Sequence, residues 1–155
     1  MKLLKLFVVV LAGAAALVLL ATPVANAEAP TRYVVQLSPE CEEARLSGAT
    51  GYAYLSINEE NGRITYSVAA FNLPGTLTAA HIHGASAVPG GNAGVAAHLE
   101  LTGLNSGFVA TKSITDPDLA AKIVANPELY YFNLHTTTTA TEPGCPSGAL
   151  RGTIG

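Results

Sequence analysis

Residues 49–58 and 63–71 alternate apolar with polar positions on either side of Asn61-Gly62, and this arrangement restricts the fold more than any other in the chain. Successive side chains of a strand point to opposite faces, so a two-residue period suits a half-buried strand and not a helix. Asn-Gly supplies the positive backbone angles of a tight turn, which makes the two runs a β-hairpin. In its second arm Ile64, Tyr66, Val68 and Ala70 share one face. Similar runs at residues 32–37, 76–83, 93–101, 107–114, 129–136 and 148–154 read as further strands, the first of them ended by Ser38-Pro39-Glu40. Within 93–101 the alternation points Val95, Ala97, Leu99 and Leu101 inward, with Ala96, His98 and Glu100 outward. Asp116-Pro117 opens one short helix near residues 116–125, because Asp caps free amides and proline suits the first helical position; Asn126-Pro127 ends it. Seven or eight short strands with one helix fit an all-β, antiparallel Greek-key sandwich or barrel.

The composition divides the chain in two. Residues 1–27 hold Lys2 and Lys5, no acids, an apolar run at 6–21 and the small-residue tripeptide Ala25-Asn26-Ala27. That is the pattern of a secretory signal peptide cut after Ala27. The apolar run, about 16 residues, falls short of a membrane span, so no stable span is expected after cleavage. Residues 28–155 then form a single domain carrying six basic and eleven acidic residues, a formal charge of −5. Such a balance excludes a basic nucleic-acid binder. Export to a periplasmic or extracellular space makes a disulfide the favoured state of Cys41 and Cys145, with metal ligation by cysteine as the competing reading. Met1 is the sole methionine and leaves with the signal, so the usual blue-copper ligand set cannot be assembled.

His81 and His83 stand two residues apart on a strand, hence on one face, about 6.5 to 7 Å apart at their α carbons. In residues 131–136 the same period groups Tyr131, Asn133 and His135. If those strands are neighbours, three neutral imidazoles form one side of a copper or zinc site. Otherwise the histidines are ordinary surface residues. His98 shares the side of Glu100 and reads as a solvated histidine, or as a fourth contributor to the site. Arg151 is a surface charge, or faces an anion near the histidines. The glycine-rich stretch 89–94 leads from strand to strand, with no helix terminus to hold a phosphate, and reads as a turn. Adjacent Glu42-Glu43 and Glu59-Glu60 point to opposite sides if extended, which suits solubility better than paired acid–base catalysis.

Taken in order, Ala80-His81-Ile82-His83-Gly84, the Gly-Asn-Ala-Gly turn at 91–94, Tyr131-Phe132-Asn133-Leu134-His135-Thr136 and Gly148-Ala149-Leu150-Arg151-Gly152 resemble the successive signatures of the CHRD domain. The resemblance covers residues 31–155. The chain departs from the family pattern at Ala149, where Glu is usual, and by having Cys145 in the preceding loop. The resemblance implies an extracellular binding module with a protein partner, which in chordin is a bone morphogenetic protein; the partner of this chain is unknown. The pattern is also similar to Cu/Zn superoxide dismutase. On that likeness His81, His83 and His135 are the ligands of one copper ion and Arg151 guides an anion. No zinc site is evident, because residues 84–94 lack His and Asp. Three functions follow as expectations: a secreted module binding one copper or another transition metal, a copper-only dismutase-like enzyme, or a metal-free structural or adhesive sandwich.

Overall fold

A computed structural model describes residues 28–101, 109–138 and 143–155; residues 1–27, 102–108 and 139–142 lie outside it, and with them the expected signal peptide. The described chain is nearly all β. Its strands are β1 (Thr31–Pro39), β2 (Thr50–Asn58), β3 (Arg63–Phe71), β4 (Thr76–His83), β5 (Val95–Leu99), β6 (Val109–Thr115), β7 (Tyr131–Thr137) and β8 (Leu150–Thr153). Two α-helices, α1 (Glu42–Ser47) and α2 (Pro117–Ala125), and a 3-10 turn at Pro127–Leu129, at the expected start of the last-but-one strand, join them. Pairing is antiparallel in the order β5-β4-β7-β8-β1-β2-β3-β6, which curls into a near-barrel. The chain crosses over after β3 and again after β5, so β6 lies beside β3 and β7 beside β4. This is the Greek-key arrangement expected from the strand rhythm.

The hairpin forms as its period requires: Ala53, Leu55 and Ile57 of β2 face Val68, Tyr66 and Ile64 of β3, all fully or almost fully buried. Val35, Leu37, Ile82, Phe132, Leu134 and Leu150 complete the interior from the other strands. Asp116 caps α2 by accepting from the Leu119 amide at 2.9 Å, and Leu119, Ala120 and Ile123 are its buried side. Buried Tyr66 joins the two halves: its hydroxyl donates to the Glu100 carbonyl at 3.2 Å and accepts from the Glu100 amide at 3.0 Å. Tyr66→Phe keeps the ring and removes both bonds, and is expected to cost about 1–3 kcal/mol in urea unfolding.

Local expectations are corrected at three places. Strand β1 does not end before Ser38 but runs through Pro39, because its last residues change partner from β2 to β8, pairing Ser38 with Arg151 and Pro39 with Leu150. Glu42 and Glu43 are not extended: they form the first turn of α1, a helix too short to show a period in sequence. Cys41 Sγ accepts from the Ala44 amide at its start, and Gly48 ends it in the left-handed conformation, φ 70°. Val95 does not face inward. A bulge pairs Ile82 with Ala97 but His83 with Val95, so the residue skipped between them turns Val95 to the outer, histidine-bearing side, where it is 44% exposed. Beyond the bulge Leu99 is buried and His98 exposed, as the period requires.

Cys41 and Cys145 form a disulfide across a sequence separation of 104, with α carbons 6.3 Å apart. Among the described residues no helix is long and apolar enough to cross a membrane.

Candidate metal centre

Register determines which side chains meet on the outer face of the β5-β4-β7-β8 half. His81 pairs with His98 on one side and with Asn133 on the other; His83 pairs with Tyr131; Asn133 pairs with Arg151. His135 lies opposite Ala79, one step along that face from His81. The strand period thus places two histidines on β4, and the β4–β7 pairing brings in the third. One nitrogen from each of His81, His83 and His135 lies within 4.8 Å of the other two, with all three residues partly buried. A tetrahedral ion bound at 2.0–2.1 Å needs nitrogens about 3.4 Å apart; His81 Nδ1 and His135 Nε2 are 3.0 Å apart here.

Hydrogen bonds specify the free lone pairs. His135 Nδ1 donates to the Pro146 carbonyl at 3.0 Å, since a carbonyl only accepts, so in the neutral ring the lone pair is on Nε2. That Nε2 lies 3.0 Å from His81 Nδ1, which donates to it while no ion is bound. His83 Nδ1 donates to the Ala93 carbonyl at 3.0 Å, and its buried Nε2 has no partner. His83 shows the arrangement of a metal-binding imidazole, one nitrogen tied to an acceptor and the other open, whereas His135 Nε2 becomes open only when His81 gives up its bond to it. Burial, followed by the neighbouring His135, His98 and His83, lowers the pKa of His81 from 6.5 to about 4. Burial is also the main reason that of His83 is lowered. Both rings are therefore neutral at pH 7 and keep a lone pair.

The outer face of β7 would be open to water on a plain sheet, yet Tyr131 and Asn133 are 6% and 2% exposed. The covering groups are the 89–94 turn and Glu40. Arg151 holds both: Nη1 donates to Asn92 Oδ1 at 2.6 Å and pairs with Glu40 Oε1 at 3.4 Å, while Nη2 donates to the Gly90 and Gly91 carbonyls at 3.1 and 2.6 Å. Its guanidinium carbon lies 3.5 Å from the Tyr131 ring centre, and that ring lies parallel to His83 at 4.7 Å. The Tyr131 hydroxyl donates to the Ala93 carbonyl at 3.2 Å, the acceptor that also holds His83. Glu40 Oε2 accepts from Asn133 Nδ2 at 2.6 Å. Gly148, at φ +146°, allows that approach, since a β carbon there would run into the Glu40 carboxylate. Asn133 and Glu40 did not stand out in the sequence as part of a site. The grouping of Asn133 with Tyr131 and His135 was visible, but Glu40 is 93 residues away.

A CHRD domain model matches residues 33–154 of the chain. The chain belongs to the CHRD family. Neither a curated protein nor a solved structure gives a match. The histidines of this CHRD domain fall on facing strands, and its Gly-Asn-Ala-Gly turn is the lid that Arg151 clamps. His98 is beside the cluster and not within it: its ring centre is 4.7 Å from that of His81, edge to face, and the residue is exposed. Cys41, Cys145 and Glu43 also lie close together, but the two sulfurs are bonded to each other and are not free ligands.

A pH dependence follows for the metal-free CHRD domain. The folded-state pKa of His81, about 4, lies below the unfolded value of 6.5, so within that window the unfolded chain binds more protons. The contribution of His81 to stability is complete above pH 6.5 and is lost as the pH falls toward 4. Urea midpoints at pH 7 and 4.5 are expected to differ less in His81→Gln than in the unaltered protein; an equal difference would remove His81 as the cause.

Proposed function

We propose that this CHRD protein is exported with cleavage after Ala27 and serves as a binding module that holds one copper ion on His81, His83 and His135. The observation that carries the reading is the convergence of three imidazoles, one of which keeps a buried, unpartnered Nε2. The donor set is neutral and nitrogen-only, which suits copper or zinc, and divalent copper binds such ligands more tightly. The disulfide and the family both fit an extracellular protein. His98 supports the site from outside as a neighbour of His81.

The test is copper titration of untagged protein comprising residues 28–155. One equivalent should bind, with nitrogen hyperfine structure in the electron paramagnetic resonance spectrum that His81→Ala removes. Binding well below one equivalent, unchanged by His81→Ala, would leave the metal-free sandwich, a reading favoured by the direct His81–His135 hydrogen bond. The copper-only dismutase reading requires Arg151 to attract superoxide. Its guanidinium is already paired with Glu40 and bonded to three further acceptors, which favours the binding role. The copper-loaded protein is therefore expected to consume superoxide no faster than its His135→Ala variant.

A further inference from the structure

Each half of the disulfide is the chain neighbour of a group that orients the histidine cluster. Cys145 precedes Pro146, whose carbonyl accepts from His135 Nδ1. Cys145 itself is fastened to β7, its amide donating to Thr136 Oγ1 at 2.9 Å and its carbonyl accepting from the Thr136 amide at 3.2 Å. Cys41 follows Glu40, whose carboxylate holds Asn133 and Arg151; Arg151 in turn packs on Tyr131, and Tyr131 on His83. The bridge therefore joins the support of His135 to the support of His83, between segments more than a hundred residues apart.

We propose that the Cys41–Cys145 disulfide sets the metal affinity of the histidine cluster, so that its reduction by a dithiol releases the ion. The proposal rests on the metal-site reading above. Cys41 is partly exposed and Cys145 is 2% exposed, so the incoming thiolate attacks Cys41 Sγ, and Cys145 Sγ leaves and takes up a proton. The second thiol of the reductant then breaks the mixed disulfide and frees Cys41 as a thiol. Two electrons and two protons pass to the protein, and the dithiol becomes a disulfide. With the bridge open, residues 40 and 146 are joined only through the Glu40–Ala149 amide–carbonyl bond and the short β1–β8 pairing, and the rings of His83 and His135 lose the covalent part of their common frame. Loss of such outer supports weakens metal binding about 10- to 100-fold.

Coupling of this kind is reciprocal, so it can be read on the unaltered protein. The disulfide is brought to equilibrium with a dithiol redox buffer, with and without a fixed, saturating activity of free zinc(II), a redox-inert probe, and alkylated cysteines are counted by mass. A tenfold preference of the histidine site for zinc in the oxidised form lowers the reduction potential by about 30 mV, and a shift of at least that size is expected relative to His81→Ala, which subtracts the zinc taken up by the freed Cys41 and Cys145 thiolates. No shift in a protein that binds zinc overturns the coupling while the metal site stands. Failure of oxidised protein to bind zinc or copper overturns the site itself. Cys41→Ala/Cys145→Ala supplies a second reading: if folded, it should bind copper at least tenfold more weakly, and an affinity within twofold of the unaltered protein also overturns the coupling.

Discussion

Replacing His135 by alanine is expected to abolish stoichiometric copper binding, lowering affinity by more than about a hundredfold, beyond what loss of an outer support costs. The variant removes the one ligand that comes from β7 and leaves the β4 pair, which by itself reaches an ion from one side only. It also removes the ring that bonds His81 and Pro146, but that ring is only partly buried, so the stability cost should stay near 1 kcal/mol. Binding and stability therefore separate in this variant. Equilibrium dialysis against copper, with thermal unfolding of the same sample, reads both. Copper binding within threefold of the unaltered protein would show that the ion, if held, is held elsewhere.

Removal of the disulfide is the second large effect. Cys41→Ala/Cys145→Ala opens a loop spanning a sequence separation of 104, and the chain-entropy model assigns such a closure about 4 to 5 kcal/mol. For a domain of this size that is a fall in Tm on the order of 15 °C. Cys145 also belongs to the buried core, so truncation adds lost packing to lost entropy. Urea and thermal unfolding of the double variant check the figure. A loss below about 1 kcal/mol would mean that contacts around Glu40 and Ala149, joined by an amide–carbonyl bond of 2.9 Å, already hold the two segments in the unbridged protein.

Within single strands the sequence was readable. The β2–β3 hairpin, the capped α2 and the shared face of His81 and His83 each follow from a backbone period or a local cap, and each stands in the structure. Local reading failed where partners changed. Nothing near Pro39 announces that β1 leaves β2 for β8, and nothing near Val95 announces a bulge, because both depend on where the neighbouring strand ends or slips. α1 was missed for another reason: six residues give too few turns for a period, and its cap is a half-cystine sulfur.

Arg151 shows the limit most clearly. Read alone, it is a cation in a last strand, free to face water or an anion. In the fold its charge meets Glu40 from the far end of the domain, and its remaining donors meet a turn some 60 residues away. A backbone of fixed geometry dictates which residues of one strand share a face, so the chain alone determined most of the strands, the inward sides of those without a bulge, and the histidine pair. Which strands lie side by side depends on burying all the inward faces at once, a property of the whole barrel. Only that tertiary solution could bring His135 to His81, enclose Asn133 and Tyr131, and turn Arg151 from an exposed charge into a clamp.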